Sequence, residues 1–334
     1  MHIKDDEKFI KTVEKLIDPA EVCYLYFFAG LKKLLPKKIF KRLLNRTSKK
    51  TPYMGFVIDP YCLFLFFELK DIEKARQMLP ERYRITKARI FADEEPRHYV
   101  GMGIFNTRAS TFWGTRLECY LIAEDTETGL PSWIFIDIIS NTIIALPTEG
   151  VAARNSSKAM YTSSSKGDIY LDISENRSGR RIELKGNILN AGMRNLDQPL
   201  WIMGNTSIAH SKELAGAEED PFAVIFDPAE VEKALDIPLN DIEIKTNTLF
   251  PELAEPELVK AVCFPFAQHY IADSPGCRTY VKTPDDMVDN YNRISEIPNL
   301  KTFSTKIIRF QFFLGIAVSS LLSVALIIML LMKI

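Results

Sequence analysis

Three periodicities of apolar and polar positions follow one another along this chain. Over residues 5–50 apolar positions recur at helical spacing behind an acidic start, with a break at Asp18-Pro19, and this predicts N-terminal helices. From Tyr53 the pattern shortens. Residues 56–67 form a dense apolar run with Asp59-Pro60 as a bend inside it, and DIEKARQML (71–79) reads as a short amphipathic helix stopped by Pro80. Strand-like stretches then come in pairs around polar turns: 84–91 and 98–105 around ADEEPR, 116–123 and 132–138 around EDTETGLP, 169–173 and 181–189 around SENRSG. Each pair predicts a hairpin. Further strands are predicted over 158–164, 200–208, 241–246 and 258–264, and a helix over 228–235 behind an Asp227 cap. Residues 283–306 read as a polar, partly helical connector.

The third pattern is the loss of any period. Residues 310–332 carry no charge and are almost wholly apolar. A helix of that length covers about 34 Å, enough to cross a hydrocarbon core of about 30 Å. The expected fold class is therefore mainly β with peripheral helices (α+β), an antiparallel barrel or sandwich, with N-terminal helices and one C-terminal transmembrane helix. The expected segments are a helical, basic stretch (1–52), a β-barrel-like domain (53–282), a juxtamembrane connector (283–309) and the span (310–332).

Composition narrows this picture. Apolar residues make up 47% and charged residues 25%, as in a globular protein, and a net charge of −1 gives no overall attraction to nucleic acid. One local excess stands out. Between Lys32 and Lys50 stand seven lysines and two arginines (Lys32, Lys33, Lys37, Lys38, Lys41, Arg42, Arg46, Lys49, Lys50) without an acidic residue. Leu31, Leu34, Leu35, Ile39, Phe40, Leu43 and Leu44 recur among them at helical spacing. Beside a membrane span this predicts contact with anionic headgroups, at about 1 kcal/mol per charge. Lys301, Lys306 and Arg309 precede the span and only Lys333 follows it, so the positive-inside rule places the main domain in the cytoplasm. The start, MHIKDDEKF, lacks the apolar core of a signal peptide.

The cysteines (23, 62, 119, 263 and 277) form no C-x-x-C pair and the four histidines are scattered, so free thiols and no metal site are expected. Phosphate-cradling glycine loops, zinc-protease motifs and serine elbows are missing, and no cofactor is expected.

The helix DIEKARQMLPERYRI after an apolar strand, then a hairpin, RLECYLIAED, TEGVAARNSSKAMYTS, and finally LNDIEIKTNTLFP before FPFAQHY together carry a likeness. This order of elements, over roughly residues 53–275, resembles the acetoacetate decarboxylase-like superfamily, in particular its uncharacterised bacterial branch. The resemblance implies a cavity in which a lysine of depressed pKa forms a Schiff base with a keto acid. Carried over, Lys158 is the candidate nucleophile, with Glu118 and Glu149 as acid–base partners. The family's proline-lysine-lysine run is absent here: Glu149 and Gly150 are followed only at a distance by Lys158, without the proline or a neighbouring lysine. The alternative for Lys158 is an ordinary lysine at a strand start.

Strand alternation sets Glu118 and Tyr120 on one face and Leu117, Cys119 and Leu121 on the other. Glu118 is then a cavity acid or a solvent-facing glutamate on an edge. Arg108, Trp113, Arg116 and Tyr120 are the candidate ligand-binding residues, an arginine at the cavity mouth being suited to a carboxylate. Two functions follow: a module binding a small apolar or carboxylated ligand without covalent chemistry, or a lyase acting on a keto acid through Lys158. The sequence leaves the oligomeric state open.

Overall fold

The computed structural model describes residues 3–30, 53–146, 150–152, 155–215, 222–273, 283–297, 300 and 304–332. The basic segment and Glu149 lie outside them. Two helices open the chain, α1 (Asp6–Lys15) and α2 (Pro19–Gly30). Asp5 caps α1 by accepting from the Lys8 amide at 2.9 Å, and the Pro19 ring starts α2 where no amide is needed. The apolar run then splits as expected into β1 (Tyr53–Ile58) and β2 (Cys62–Leu69), turning at Tyr61 with φ 70°. An Asp71 cap begins α3 (Ile72–Met78).

The central strands are β3 (Tyr83–Ile85), β4 (Tyr99–Ala109), β5 (Trp113–Asp125) and β6 (Pro131–Ser140). Of the expected hairpin around ADEEPR only the isolated bridge Ala88–Arg97 forms, because β3 pairs with β5 instead. The next two hairpins form as predicted: β5 with β6, and the strand Asp168–Glu175 with Arg181–Asn187. After the short pair β7 (Ile144–Leu146) and β8 (Gly150–Ala152) come β9 (Ser156–Ser163), β10 (Asp168–Glu175) and β11 (Arg181–Asn187), then β12 (Gly192–Asn195). Residues 200–208, expected as a strand, instead turn through a π-helix (Pro199–Met203) and a 3-10 turn (Gly204–Thr206) before β13 (Ile208–His210).

A four-residue helix, α4 (Lys212–Ala215), precedes β14 (Val224–Ile225). The expected helix over 228–235 shrinks to a 3-10 turn (Pro228–Val231), still capped by Asp227, and then becomes β15 (Lys233–Asp236). The strands close with β16 (Ile242–Asn247), β17 (Ala254–Phe264) and β18 (Gln268–Asp273), followed by α5 (Pro284–Ser295) and α6 (Lys306–Leu331).

Twelve strands make one curled sheet, and β16-β11-β10-β9 make a second that lies on its convex face. All ladders among the named strands are antiparallel except β13 on β6. The large sheet does not close into a barrel: between β13 and β14 the described residues provide only the single bridge Ile208–Phe222. Alternation along β2 shows how the layers are made. Leu63, Leu65 and Phe67 point into the core between the sheets, while Cys62 and Phe66 join the core on the concave side.

That concave core also takes in Phe9 and Val13 of α1, Leu16 at its C-cap, and Met287, Tyr291 and Ile294 of α5. Phe9 stacks on Tyr291 at 4.0 Å, and a capping box between Thr283 and Asp286 starts α5. Residues expected as a connector thus carry a docked helix. Beyond it, α6 is long and apolar enough to cross a membrane; Ile308 in its first turn is buried, and from Phe313 onward its apolar side chains are exposed on all sides.

Candidate functional site

The curl of the large sheet leaves a cavity of about 140 Å³ on its concave side. Strand β5 supplies its chemistry. Because successive side chains on a strand point to opposite faces, Arg116, Glu118 and Tyr120 all enter the cavity, while Leu117, Cys119 and Leu121 pack between the sheets. Opposite Glu118 on β4 stands Gly103. A Cβ there would lie 2.9 Å from Phe64 Cε1 and 3.3 Å from Tyr120 Cε2, so the missing side chain is what lets these rings close over the site.

Aromatic rings make the walls. Phe56 stacks on Tyr270 at 4.8 Å, Tyr120 lies 4.9 Å from Phe135, and Trp201 meets Phe64 edge-on at 5.1 Å. Within this lining, Arg116 Nη1 donates to Glu118 Oε1 at 3.1 Å, and the Tyr120 hydroxyl donates to Glu118 Oε2. The Arg116 guanidinium lies over the Phe112 ring at 4.1 Å. Its Nε–H has no hydrogen-bond partner among the described residues, although the atom is buried.

The electrostatics follow from the walls. Glu118 is 5% exposed, and burial raises its carboxyl above the ordinary range, against the pull of the Arg116 charge and the Tyr120 hydrogen bond. Burial and the neighbouring Glu118 push the Tyr120 phenol well above its usual value, so it remains a donor. The site is a guanidinium and a carboxyl that balance each other in an apolar enclosure. The buried Nε–H of the cation is an unused donor there.

Of the sequence candidates, Arg116, Glu118 and Tyr120 are brought together. Arg108 is not with them: it pairs with Glu14 of α1 at 3.1 Å and Asp59 at 3.4 Å, docking that helix on the sheet. Trp113 lies outside the lining, and its carbonyl accepts from the Tyr26 hydroxyl of α2 at 3.3 Å. Lys158 stands on β9 in the second sheet, 54% exposed, with its ammonium on Asp172, a carboxylate also held by Arg181 at 3.0 Å. The expected Lys158–Glu118 partnership is therefore not formed, because the strand that bears the lysine belongs to the layer on the other side of β5. Glu149 lies outside the described residues.

Sequence reading missed Gln268, Asn205 and Trp201, which also line the cavity. Gln268 and Tyr270 had a signal, since alternation along β18 sets both on one face. Trp201 had none, because its position depends on the irregular turn over 199–206. Among the described residues no group of histidine, cysteine and carboxylate side chains is arranged to hold a metal.

No family model matches this chain, and no curated protein does. Among solved structures, the crystal structure of acetoacetate decarboxylase from Legionella pneumophila is similar over 66% of this chain and 85% of that one, with 9% identity and a TM-score of 0.41. A likeness at that level assigns no activity, and the functional reading rests on the cavity.

Proposed function

We propose that this protein is a membrane-attached binding module whose cavity takes a small, apolar monocarboxylic acid without covalent chemistry. The observation that carries the reading is the Arg116 Nε–H, buried and unpartnered inside an aromatic enclosure. A buried donor left unmade costs about 1–3 kcal/mol, and a ligand carboxylate satisfies it with a charge-assisted bond. Glu118 already balances the Arg116 charge, so an entering carboxylate favours protonation of Glu118, which burial has raised in advance. Protonated, Glu118 becomes a second donor toward the ligand.

The volume sets the size. A dry cavity of about 150 Å³ accepts benzene, so the apolar part of the ligand is of about that size and its carboxylate sits by Arg116. Membrane attachment is supported by the apolar length of α6, and the cations Lys306 and Arg309 at its start favour the cytoplasmic side for the domain. A lyase working through an imine needs an amine in the cavity. None of the described lining residues is a lysine, so the binding reading is preferred.

Borohydride reduction of the full chain with acetoacetate or pyruvate, followed by mass spectrometry, tests the choice. Unmodified protein is the expected result. A reduced adduct on any lysine overturns the non-covalent reading, and an adduct on Lys158 restores the Schiff-base alternative.

A further inference from the structure

The second helix links two parts of the molecule that the sequence keeps far apart. Apart from Glu21, α2 carries no charge, and its sequence PAEVCYLYFFAG is apolar around the whole circumference. Val22, Leu25 and Phe28 are buried, yet the outward face shows Cys23 and Phe27, the latter 46% exposed. A helix without a polar face belongs in a core or in lipid, and α2 has a core on one side only.

Glu21, 4% exposed, ties α2 to the membrane helix. Its Oε2 accepts from the Thr305 amide and hydroxyl, both at 2.5 Å, and its Oε1 accepts from Arg309 Nη2 at 2.8 Å. The Arg309 guanidinium covers the Tyr24 ring at 4.1 Å, and Phe27 and Phe28 meet Phe312 edge-on at 5.6 and 5.7 Å. On its other side α2 reaches the cavity rim. The Tyr26 hydroxyl donates to the Trp113 carbonyl at 3.3 Å and accepts from the Ile143 amide at 3.1 Å. The turn beside Trp113 brings Phe112 into the lining, and Thr111 Oγ1 contacts Met54 Sδ at 3.2 Å. Six lining residues are part-exposed, Met54, Phe56, Phe64, Phe112, Arg116 and Asn205, and three of them, Met54, Phe112 and Arg116, lie at this edge. The rim that α2 reaches is thus a part-exposed edge of the cavity.

We propose that the Glu21 clamp holds this rim, with Phe27 and Trp113, in the headgroup interface of the bilayer crossed by α6, so that the cavity exchanges weak carboxylic acids with the interface. The membrane is the occupant the geometry selects, because the exposed apolar face of α2 is continuous with the first turns of a helix whose apolar side chains beyond Phe312 are exposed. Tryptophan with a part-exposed ring suits the interfacial depth. The ligand clause rests on the binding function proposed above; the docking does not.

The test uses the full chain in phosphatidylcholine vesicles and reads tryptophan fluorescence. Trp133 and Trp201 are 3% and 2% exposed, Trp113 is 37% exposed, so lipid contact reports on Trp113. Phosphatidylcholine brominated near the headgroup end of its chains is expected to quench the wild type, and Trp113→Phe to remove that quenching. Glu21→Gln is expected to reduce it at least twofold. Phe27→Asp, which puts a charge on the outward face of α2, is expected to do the same. Equal quenching of the wild type and Trp113→Phe, or none in either, overturns the docking. In the Trp113→Phe protein, 4-bromobenzoate added to the vesicles is expected to quench the cavity-lining Trp201. Lipid quenching without bromobenzoate quenching overturns the ligand class while the docking stands, and the reverse overturns the docking while the binding function stands.

Discussion

The two sheets use the same charged residue types to opposite ends. On the outer face of the second sheet, Asp172 meets Lys158 and Arg181, and Arg181 also meets Glu183 at 2.5 Å. Those cations are part-exposed and solvated, and each has its partner. In the concave side of the large sheet, Arg116 and Glu118 form one pair among phenylalanine, tyrosine and tryptophan rings. The first arrangement keeps its cations in water around a carboxylate that is itself buried, Asp172 being 4% exposed, and a single solvated cation there is of small net worth. The second removes a cation from water and leaves one of its donors unused, the condition under which a ligand anion gains most. Desolvation, not residue identity, separates a structural lysine from a binding arginine in this molecule.

The largest expected effect breaks the inner pair. Glu118→Ala leaves the Arg116 charge in the cavity without its partner and is expected to destabilise the fold by about 3 kcal/mol, read by chemical denaturation. Lys158→Ala, its outer counterpart, is expected to change stability by less than about 1 kcal/mol. Comparable losses for the two contradict the contrast.

Arg116→Gln addresses binding. It removes the charge and the Nε donor together, and affinity for a small carboxylic acid is expected to fall about 10- to 100-fold, the worth of a hydrogen bond to a charged group. Lys158→Ala is expected to bind as the wild type does. Isothermal titration calorimetry measures both.

The pH dependence of stability sharpens the same comparison through its sign. Burial raises the Glu118 carboxyl, so its contribution is fully present in acid and is lost as pH rises from the ordinary carboxylate range through its folded value. For Asp172 burial also pushes upward, but the hydrogen bonds and charges of Arg181 and Lys158 outweigh it and hold the carboxyl low. Its contribution is present above the ordinary range and is lost as pH falls through the lowered value. Wild-type stability relative to Glu118→Gln is thus expected to decline with rising pH, and relative to Asp172→Asn to increase. Slopes of one sign in both pairs contradict the assignment.

Much of this was legible in the chain. The alternation RLECYLIAED put Glu118 and Tyr120 on one face because β5 pairs with β4 without interruption there, the register shift between Cys119 and Tyr120 falling in the β6 ladder, and the turn-bounded runs gave two of three hairpins. Pattern failed where local geometry or distant pairing decides. Residues 200–203 are buried throughout, a signature that strand and helix share, and the Pro199 ring begins a helical turn there. Lys158 was placed by a family resemblance at a cavity, yet alternation cannot tell which sheet a strand joins. Arg108 and Arg116 look alike in sequence; only the docking of α1 through Glu14 separates a structural arginine from one in the cavity.

The claim that Arg116 makes this cavity a carboxylate site is tested most directly by titrating the full chain with benzoate and with benzamide, which share shape and differ in charge. Benzoate is expected to bind at least tenfold more tightly to the wild type, and Arg116→Gln to abolish the difference. Equal affinity of the wild type for acid and amide contradicts it.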